Sequence, residues 1–299
     1  MTTNASEQRA EGRGQTSSLI PHPSALSPVV LKLGGELLET PARLATVVAA
    51  VAAIAARWPL VVVHGGGKEI DAALGAAGIE KKQVDGLRIT DEATLDVVVS
   101  VLAGAVNTRL VAALNAAGVS AVGLTGADAL TGLSEAAPPH RAADGRLVDL
   151  GRVGMPSAAA DVRLLDVLAA EHFVPVMACI GIGADGRLFN VNADTFAGHV
   201  AGRLGARRLV VAGTTPGVLD GHGATLPLLD AAAVGELVAD GTATAGMIAK
   251  LRACEQALSS GVTDVVIVDG RDRAAFEAAA TGEAPRTATR LVGNTRSLA

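Results

Sequence analysis

Short aliphatic runs that break into glycine or polar turns, each followed by apolar positions at helical spacing, recur along almost the whole chain. Val29–Leu33, apolar except for Lys32, and Leu60–Val63 have the length and character of buried strands. Between them Thr40 and Pro41 supply a helix N-cap and a proline at the first helical position. Leu44, Val47, Val48, Val51 and Ile54 then share one helical face, and Trp58-Pro59 closes that helix. A short helix to Gly78 and a polar stretch, Glu80 to Asp91, lead into the longest helix, Ala93 to Ala117. Its stripe is Leu95, Val98, Val99, Leu102, Val106, Leu110 and Leu114, and Gly118 fits its C-terminal stop. Val97 and Val101 lie off that stripe, which predicts a second apolar face in need of a partner. A strand over 119–124, hairpins within 126–154, a helix over 161–170 and a strand over 173–180 follow. The pattern ends with helix 194–204, strand 207–212, helix 247–259 and strand 263–268. Such alternation predicts an α/β fold in three αβα layers, a mostly parallel central sheet sandwiched between helices. A change of character near residue 206 predicts two lobes, 29–206 and 207–299, behind a disordered leader over 1–28.

Composition narrows this further. Tyrosine is absent and aromatic residues make up 2% of the 299 positions, so the core has to be aliphatic, as in a parallel sheet covered on both faces. The apolar runs predict no membrane span, and residues 1–26 lack the apolar segment of a secretory signal. Cys179 and Cys254 lie far apart without metal-ligand spacing, which predicts reduced core thiols, a cytoplasmic protein and no metal held by side chains. A formal net charge of −5 without a basic cluster predicts no nucleic-acid partner.

Two glycine-rich turns carry the first chemical signal. One is Lys32-Leu33-Gly34-Gly35-Glu36, the other His64-Gly65-Gly66-Gly67-Lys68. Consecutive glycines after a strand let backbone N–H groups face an anion, and a following helix adds its positive end. Neither turn is a P-loop, because Glu69 follows Lys68 where serine or threonine is required. Gly181-Ile182-Gly183-Ala184-Asp185-Gly186 matches the dinucleotide fingerprint by letter, but Arg187 to Val191 alternates like a strand where a helix must open. Asp185-Gly186 therefore predicts a hairpin turn.

Four polar elements could converge on these turns. Lys32 ends an apolar strand, where an ammonium is costly without an anion or a route to water. Arg88, just before the long helix, is either a carboxylate fork or a surface arginine. Asn190 to Asp194 passes from a strand into a helix, so Asp194 is either functional or a cap. Lys250 sits near a helix start, opposing the macrodipole unless an anion is present.

Taken together, these segments resemble the amino acid kinase family, and within it the branch that phosphorylates N-acetyl-L-glutamate. The matching stretches run in family order from residue 29 to about 270, and the most specific are Gly86-Leu87-Arg88-Ile89-Thr90-Asp91 and Asn190-Val191-Asn192-Ala193-Asp194. Others are the two glycine turns, Gly123-Leu124-Thr125-Gly126, Pro216-Gly217-Val218-Leu219-Asp220, Gly246-Met247-Ile248-Ala249-Lys250 and Val268-Asp269-Gly270. The resemblance implies transfer of the γ-phosphoryl group of ATP, with Mg²⁺, to the γ-carboxylate of N-acetyl-L-glutamate in arginine biosynthesis. It implies that Lys32 and Lys250 neutralise the transferring group and that Asp194 orients them. Gly34, Gly35, Gly65 and Gly66 would line the phosphoryl path, with Gly66 and Gly67 also beside the substrate. Arg88 and Asn190 would hold the substrate's α-carboxylate and acetamido group, and Thr214, Gly217, Gly246 and Met247 would bind ATP.

Two departures from the family pattern stand out. Gly213-Thr214 replaces the usual Thr-Asp, removing a carboxylate from the expected ribose contact, and the leader shows no helical stripe. The resemblance, with that leader, implies a homodimer through the first lobe that ignores arginine. Rival readings are a sibling kinase for N-acetyl-2-aminoadipate or N-succinylglutamate, since one methylene is worth only about 1–3 kcal/mol, and a non-catalytic ligand sensor.

Overall fold

The computed structural model describes residues 26–239, 245–282 and 284–293; residues 1–25 of the expected leader lie outside them. Eight strands form the main sheet: β1 (Val29–Leu33), β2 (Leu60–His64), β3 (Ala121–Thr125), β4 (Val174–Ala178), β5 (Arg208–Gly213), β6 (Leu228–Leu229), β7 (Val265–Asp269) and β8 (Ala288–Leu291). Their spatial order is β6-β8-β7-β5-β1-β2-β4-β3. All neighbours are parallel except β7 and β8. β1, β2 and β4 are buried along their whole length, which is why they read as apolar runs broken only by Lys32 and His64.

The helices are α1 (Pro41–Ala55), α2 (Gly67–Ala76), α3 (Glu92–Ala116), α4 (Arg163–Ala170), α5 (Ala193–Arg203), α6 (Ala231–Ala239), α7 (Ala245–Ser259) and α8 (Arg273–Thr281). α1 packs on α3 and α8, while α5 packs on α7, and each group covers one face of the sheet. Thr40 caps α1 with Pro41 at its first position, as the sequence predicts. Gly118, at φ +82, follows α3. Residues 181–186 form a hairpin, with Gly186 at φ +81 and strand 180–182 antiparallel to 188–191.

Four expectations need correction. The strand predicted over 173–180 is two strands, β4 and 180–182, because the chain leaves the main sheet at Cys179 to join a small four-stranded sheet. The α-helical period does not hold through α3: Ser100–Val106 is π-helical, so each turn there is wider. Val101 lies in the core (9% exposed) and Val97 packs partly against it, so the second apolar face is largely covered by the chain itself. Finally, α3 is 25 residues long, contains an 18-residue window with mean hydropathy 1.9, and meets the length and composition of a membrane span. Its stripe, Leu95 to Leu114, is nevertheless packed on the sheet.

Candidate functional site

The connection from β1 runs to β2 on one side and that from β5 to β7 on the other, so the carboxyl ends of β1 and β5 flank a switch in strand order. Crevices at such points are where open α/β sheets bind ligands. Both glycine turns lie there. Gly34 N–H donates to the Ala212 carbonyl at 2.9 Å, tying the first turn to β5. The second turn opens α2, with Gly66 as its N-cap. The turns meet backbone to backbone: a Cβ on Gly35 would lie 2.7 Å from Gly66 Cα, and one on Gly66 would lie 2.8 Å from Leu102 Cδ2. Side chains are therefore excluded from the contact, and both turns line one cavity of about 300 Å³.

Lys32 is 7% exposed, and its Nζ lies 2.9 Å from Asp194 Oδ1. Lys250, on α7, places its Nζ 3.4 Å from Asp194 Oδ2. Burial pulls the Lys32 pKa down, but the charge and hydrogen bond of Asp194 outweigh it and hold the ammonium above its usual value. Burial opposes ionisation of Asp194, yet the two lysines keep it below the carboxylate range. Lys250 is lowered, first by burial and then by the positive charge of Lys32. Two ammoniums thus share one carboxylate, a local excess of positive charge that suits a phosphoryl group. Asp194 is not the cap of α5. Asn192 is, accepting from the N–H groups of Asp194 (2.9 Å) and Thr195 (3.1 Å), which leaves the Asp194 carboxylate for the lysines.

Arg88 lies across the cavity with its side chain 10% exposed. Its Nη2 donates to Asp71, which also takes Lys81 Nζ at 2.7 Å, while Nη1 is buried without a hydrogen-bond partner among the described residues. Burial raises the Asp71 pKa, but these bonds outweigh it and keep the group ionised. A buried guanidinium N–H beside a cavity is a donor suited to an anion. Asn190 Nδ2 donates to Thr90 Oγ1 at 3.1 Å, orienting its amide at the same cavity.

Gly34, Gly35, Gly65, Gly66, Gly67, Lys32, Arg88, Asn190 and Asp194 all line this cavity, and Lys250 joins them through Asp194. Thr214, Gly217, Gly246 and Met247 do not line it. Thr214 and Gly217 lie in the loop after β5, where the Thr214 carbonyl accepts from Arg271 Nη2 at 2.8 Å. Gly217 has φ +74, and a Cβ there would lie 2.4 Å from Thr289 Oγ1. Gly246 and Met247 form the first turn of α7, ahead of Lys250.

Three lining or supporting residues escaped the sequence reading. Asp71, the partner of Arg88, has no local signal. Glu36 directly follows the first glycine pair, and its carboxylate reaches the cavity beside Gly34 and Gly213 without a hydrogen bond or ion pair among the described residues. Cys179 also lines the cavity, with its thiol pushed up to about 12 by burial and hence un-ionised.

The profile of the amino acid kinase family matches residues 27–269. The chain is 46% identical over 215 residues to the acetylglutamate kinase of Acidiphilium cryptum (strain JF-5), covering 71% of this chain and 72% of that one. Against the acetylglutamate kinase of Sphingopyxis alaskensis (strain DSM 13593 / LMG 18877 / RB2256) it is 47% identical over 216 residues, 71% of each. Among solved structures it resembles N-acetylglutamate synthase from Neisseria gonorrhoeae complexed with coenzyme A and N-acetyl-glutamate, with a TM-score of 0.74 and 24% identity. That match covers 89% of this chain, which spans only 59% of the synthase chain. Carbamate kinase from Giardia lamblia bound to AMP-PNP gives a TM-score of 0.64 at 14% identity, over 91% of this chain and 100% of that one. These structural likenesses show the fold. With the profile and the sequence relatives, they establish that the chain belongs to the amino acid kinase family, among its acetylglutamate kinases.

Proposed function

We propose that the protein transfers the γ-phosphoryl group of ATP to the γ-carboxylate of N-acetyl-L-glutamate, giving N-acetyl-L-glutamyl 5-phosphate in arginine biosynthesis. The observation that carries the mechanism is the Lys32–Asp194–Lys250 group set against two converging glycine turns. A carboxylate nucleophile is already ionised and needs no general base. The obstacle is bringing an anion up to a polyanion, so catalysis rests on positioning and charge. Lys32 and Lys250 neutralise the transferring group, and Asp194 holds both in place. The N–H groups of Gly35 and Gly66 receive its oxygens, whereas those of Gly34 and Gly65, expected to share that role, are spent on the Ala212 and Leu33 carbonyls at 2.9 and 3.2 Å. Arg88, held by Asp71, offers its Nη1 to the α-carboxylate, while Asn190 orients the acetamido group beside Gly67.

ATP approaches from the β5–β7 side, the 207–299 lobe, past Thr214, Gly217, Gly246 and Met247, with residues 29–206 holding the acyl amino acid. The donor set fits Mg²⁺: the cation needs few protein ligands when phosphates supply the rest, and the Glu36 carboxylate borders the cavity without a hydrogen bond or ion pair among the described residues. Bound there, Mg²⁺ would offset phosphate charge. We also propose a cytoplasmic homodimer joined through the outward face of α3, where Ser100, Gly104 and Ala105 are exposed. A coupled ADP-release assay with acetylglutamate, acetylaminoadipate and succinylglutamate tests the activity, acetylglutamate being expected to give the highest kcat/KM. Light scattering with and without arginine tests the assembly: two subunits, unchanged by arginine, are expected.

A further inference from the structure

A buried titratable side chain next to the second glycine turn has no part in the mechanism above. His64 ends β2 and is fully buried (0% exposed). Its register partners are Leu33 on β1 and Ala178 on β4, whereas Lys32 pairs with Val63, so His64 and Lys32 point to opposite faces of the sheet. Its Nε2 lies 3.0 Å from Asn107 Nδ2, which also donates to the Val176 carbonyl at 2.8 Å. An amide nitrogen carries two hydrogens and no acceptor lone pair. Flipping the amide would set Oδ1 against the Val176 carbonyl, so the network assigns Nε2 as the acceptor. The ring proton of neutral His64 is then on Nδ1, 3.2 Å from the Gly65 carbonyl oxygen.

That bond has a consequence across the peptide plane. In a trans peptide the C=O and N–H point in opposite directions, and the described chain has no cis bond. Holding the Gly65 carbonyl against His64 therefore turns the Gly66 N–H away from it. Neither Gly66 N–H nor Gly67 N–H has an acceptor among the described residues, and both residues line the cavity. A peptide between two glycines has no Cβ to hold its orientation, so an external anchor has to. α3 backs the arrangement: its π-helical stretch ends at Val106, next to Asn107, and Leu102 and Val106 press on Gly66.

We infer that His64, its tautomer set by Asn107, is a positioning residue that aims the Gly66 N–H at the transferring phosphoryl group. The inference rests on the phosphoryl-transfer reading of the cavity. Burial, with the charge of Arg109 acting in the same direction, lowers the His64 pKa to about 4, so the ring is neutral at working pH. Of the other titratable groups nearby, Glu69 is paired with Arg109 at 2.6 Å, Lys32 lies across the sheet, and the Cys179 thiol past the end of β4 is un-ionised.

Three variants test it with ADP release, both KM values and thermal unfolding. His64→Leu removes the Nδ1 donor and should lower kcat about ten- to a hundredfold, less than deleting a donor outright, with both KM values nearly unchanged. His64→Asn keeps an amide N–H near the Nδ1 position and should recover most of kcat. Asn107→Asp forces a proton onto Nε2, so only the doubly protonated ring can still donate to Gly65. Its kcat should fall as pH rises through neutrality, about 6 to 8, where wild type is flat. The inference is overturned if His64→Leu turns over like wild type, if both folded His64 variants are equally impaired, or if Asn107→Asp follows the wild-type pH profile. Should His64→Leu fail to fold, the Asn107→Asp profile decides. A wild-type protein that releases no ADP with any acyl amino acid would instead overturn the reading of the cavity.

Discussion

On the β2–β4 side of the crevice the polar contacts come from side chains, while on the β5–β7 side most come from the backbone. Arg88 braced by Asp71 and Asn190 braced by Thr90 face the cavity as charged or amide groups. Across the switch in strand order, the loop after β5 is shaped by Gly217 at φ +74 and by Thr289, whose Oγ1 accepts from Val218 N–H and donates to the Leu226 carbonyl, both at 2.7 Å. Arg271 there is paired bidentately with Asp269 and bonded to the Thr214 carbonyl, so its charge is already used. On the proposed function, the difference is one of recognition. A small carboxylate-bearing substrate must be selected by charge and length, which only side chains supply. A long polyphosphate can be followed by turns and N–H groups whose side chains are nearly free to vary.

The severest test removes the charges where the two sides meet. Lys32→Ala or Lys250→Ala should lower kcat by about 10²–10³, the scale for losing one preorganised donor, with smaller changes in KM; near wild-type turnover in both would break the scheme. Arg88→Lys should raise KM for the acyl amino acid about ten- to a hundredfold, because a charged hydrogen bond is worth roughly 1.5–3 kcal/mol. KM for ATP should stay put, and the opposite pattern would exchange the roles of the two sides.

Gly217→Ala should lower stability by about 1–3 kcal/mol through overpacking against Thr289, seen in thermal unfolding, and should raise KM for ATP alone. A pH–rate profile at saturating substrates separates the two lysines. Because the pKa of Lys250 is lowered and that of Lys32 raised, Lys250 loses its proton first as pH rises. Activity should therefore fall on an alkaline limb below the ordinary lysine value of 10.5, and Lys250→Arg should remove that limb. The smallest effect is expected from Thr214→Asp. A restored carboxylate should improve KM for ATP about two- to tenfold if it gains one net hydrogen bond of about 0.5–1.5 kcal/mol. No change would mean that the turn alone holds the nucleotide.

The same contrast explains what could be read before the structure. Lys32 and Lys250 are ammoniums placed where an apolar strand or a helix start makes them costly without an anion, so each left a mark in the sequence, whereas Arg88, Asn190 and Asp194 became legible only through the family motifs that contain them. Asp71 left none, because an acidic residue on the first turns of an exposed helix is unremarkable until Arg88 folds over it. Glu36 was hidden in the glycine turn for a similar reason: only the closeness of Gly213 on β5 shows that its carboxylate lies in the crevice. α8 and β8 were missed as well, since the short alternation of Ala288–Leu291 gives no hint of the antiparallel register it adopts beside β7.

What the sequence alone determined is local or periodic: the buried strands, the capped start of α1, the hairpin at Asp185-Gly186 and the two glycine turns. Each follows from spacing or backbone freedom within a few residues. The tertiary structure decided what depends on distant neighbours. It made Asn192 rather than Asp194 the helix cap, turned the middle of α3 into π-helix and buried Val101. It also brought His64 and Asn107 together, 43 positions apart in the chain. Hydrogen-bond partners and packing partners are chosen by proximity in space, and no periodicity along one dimension records it.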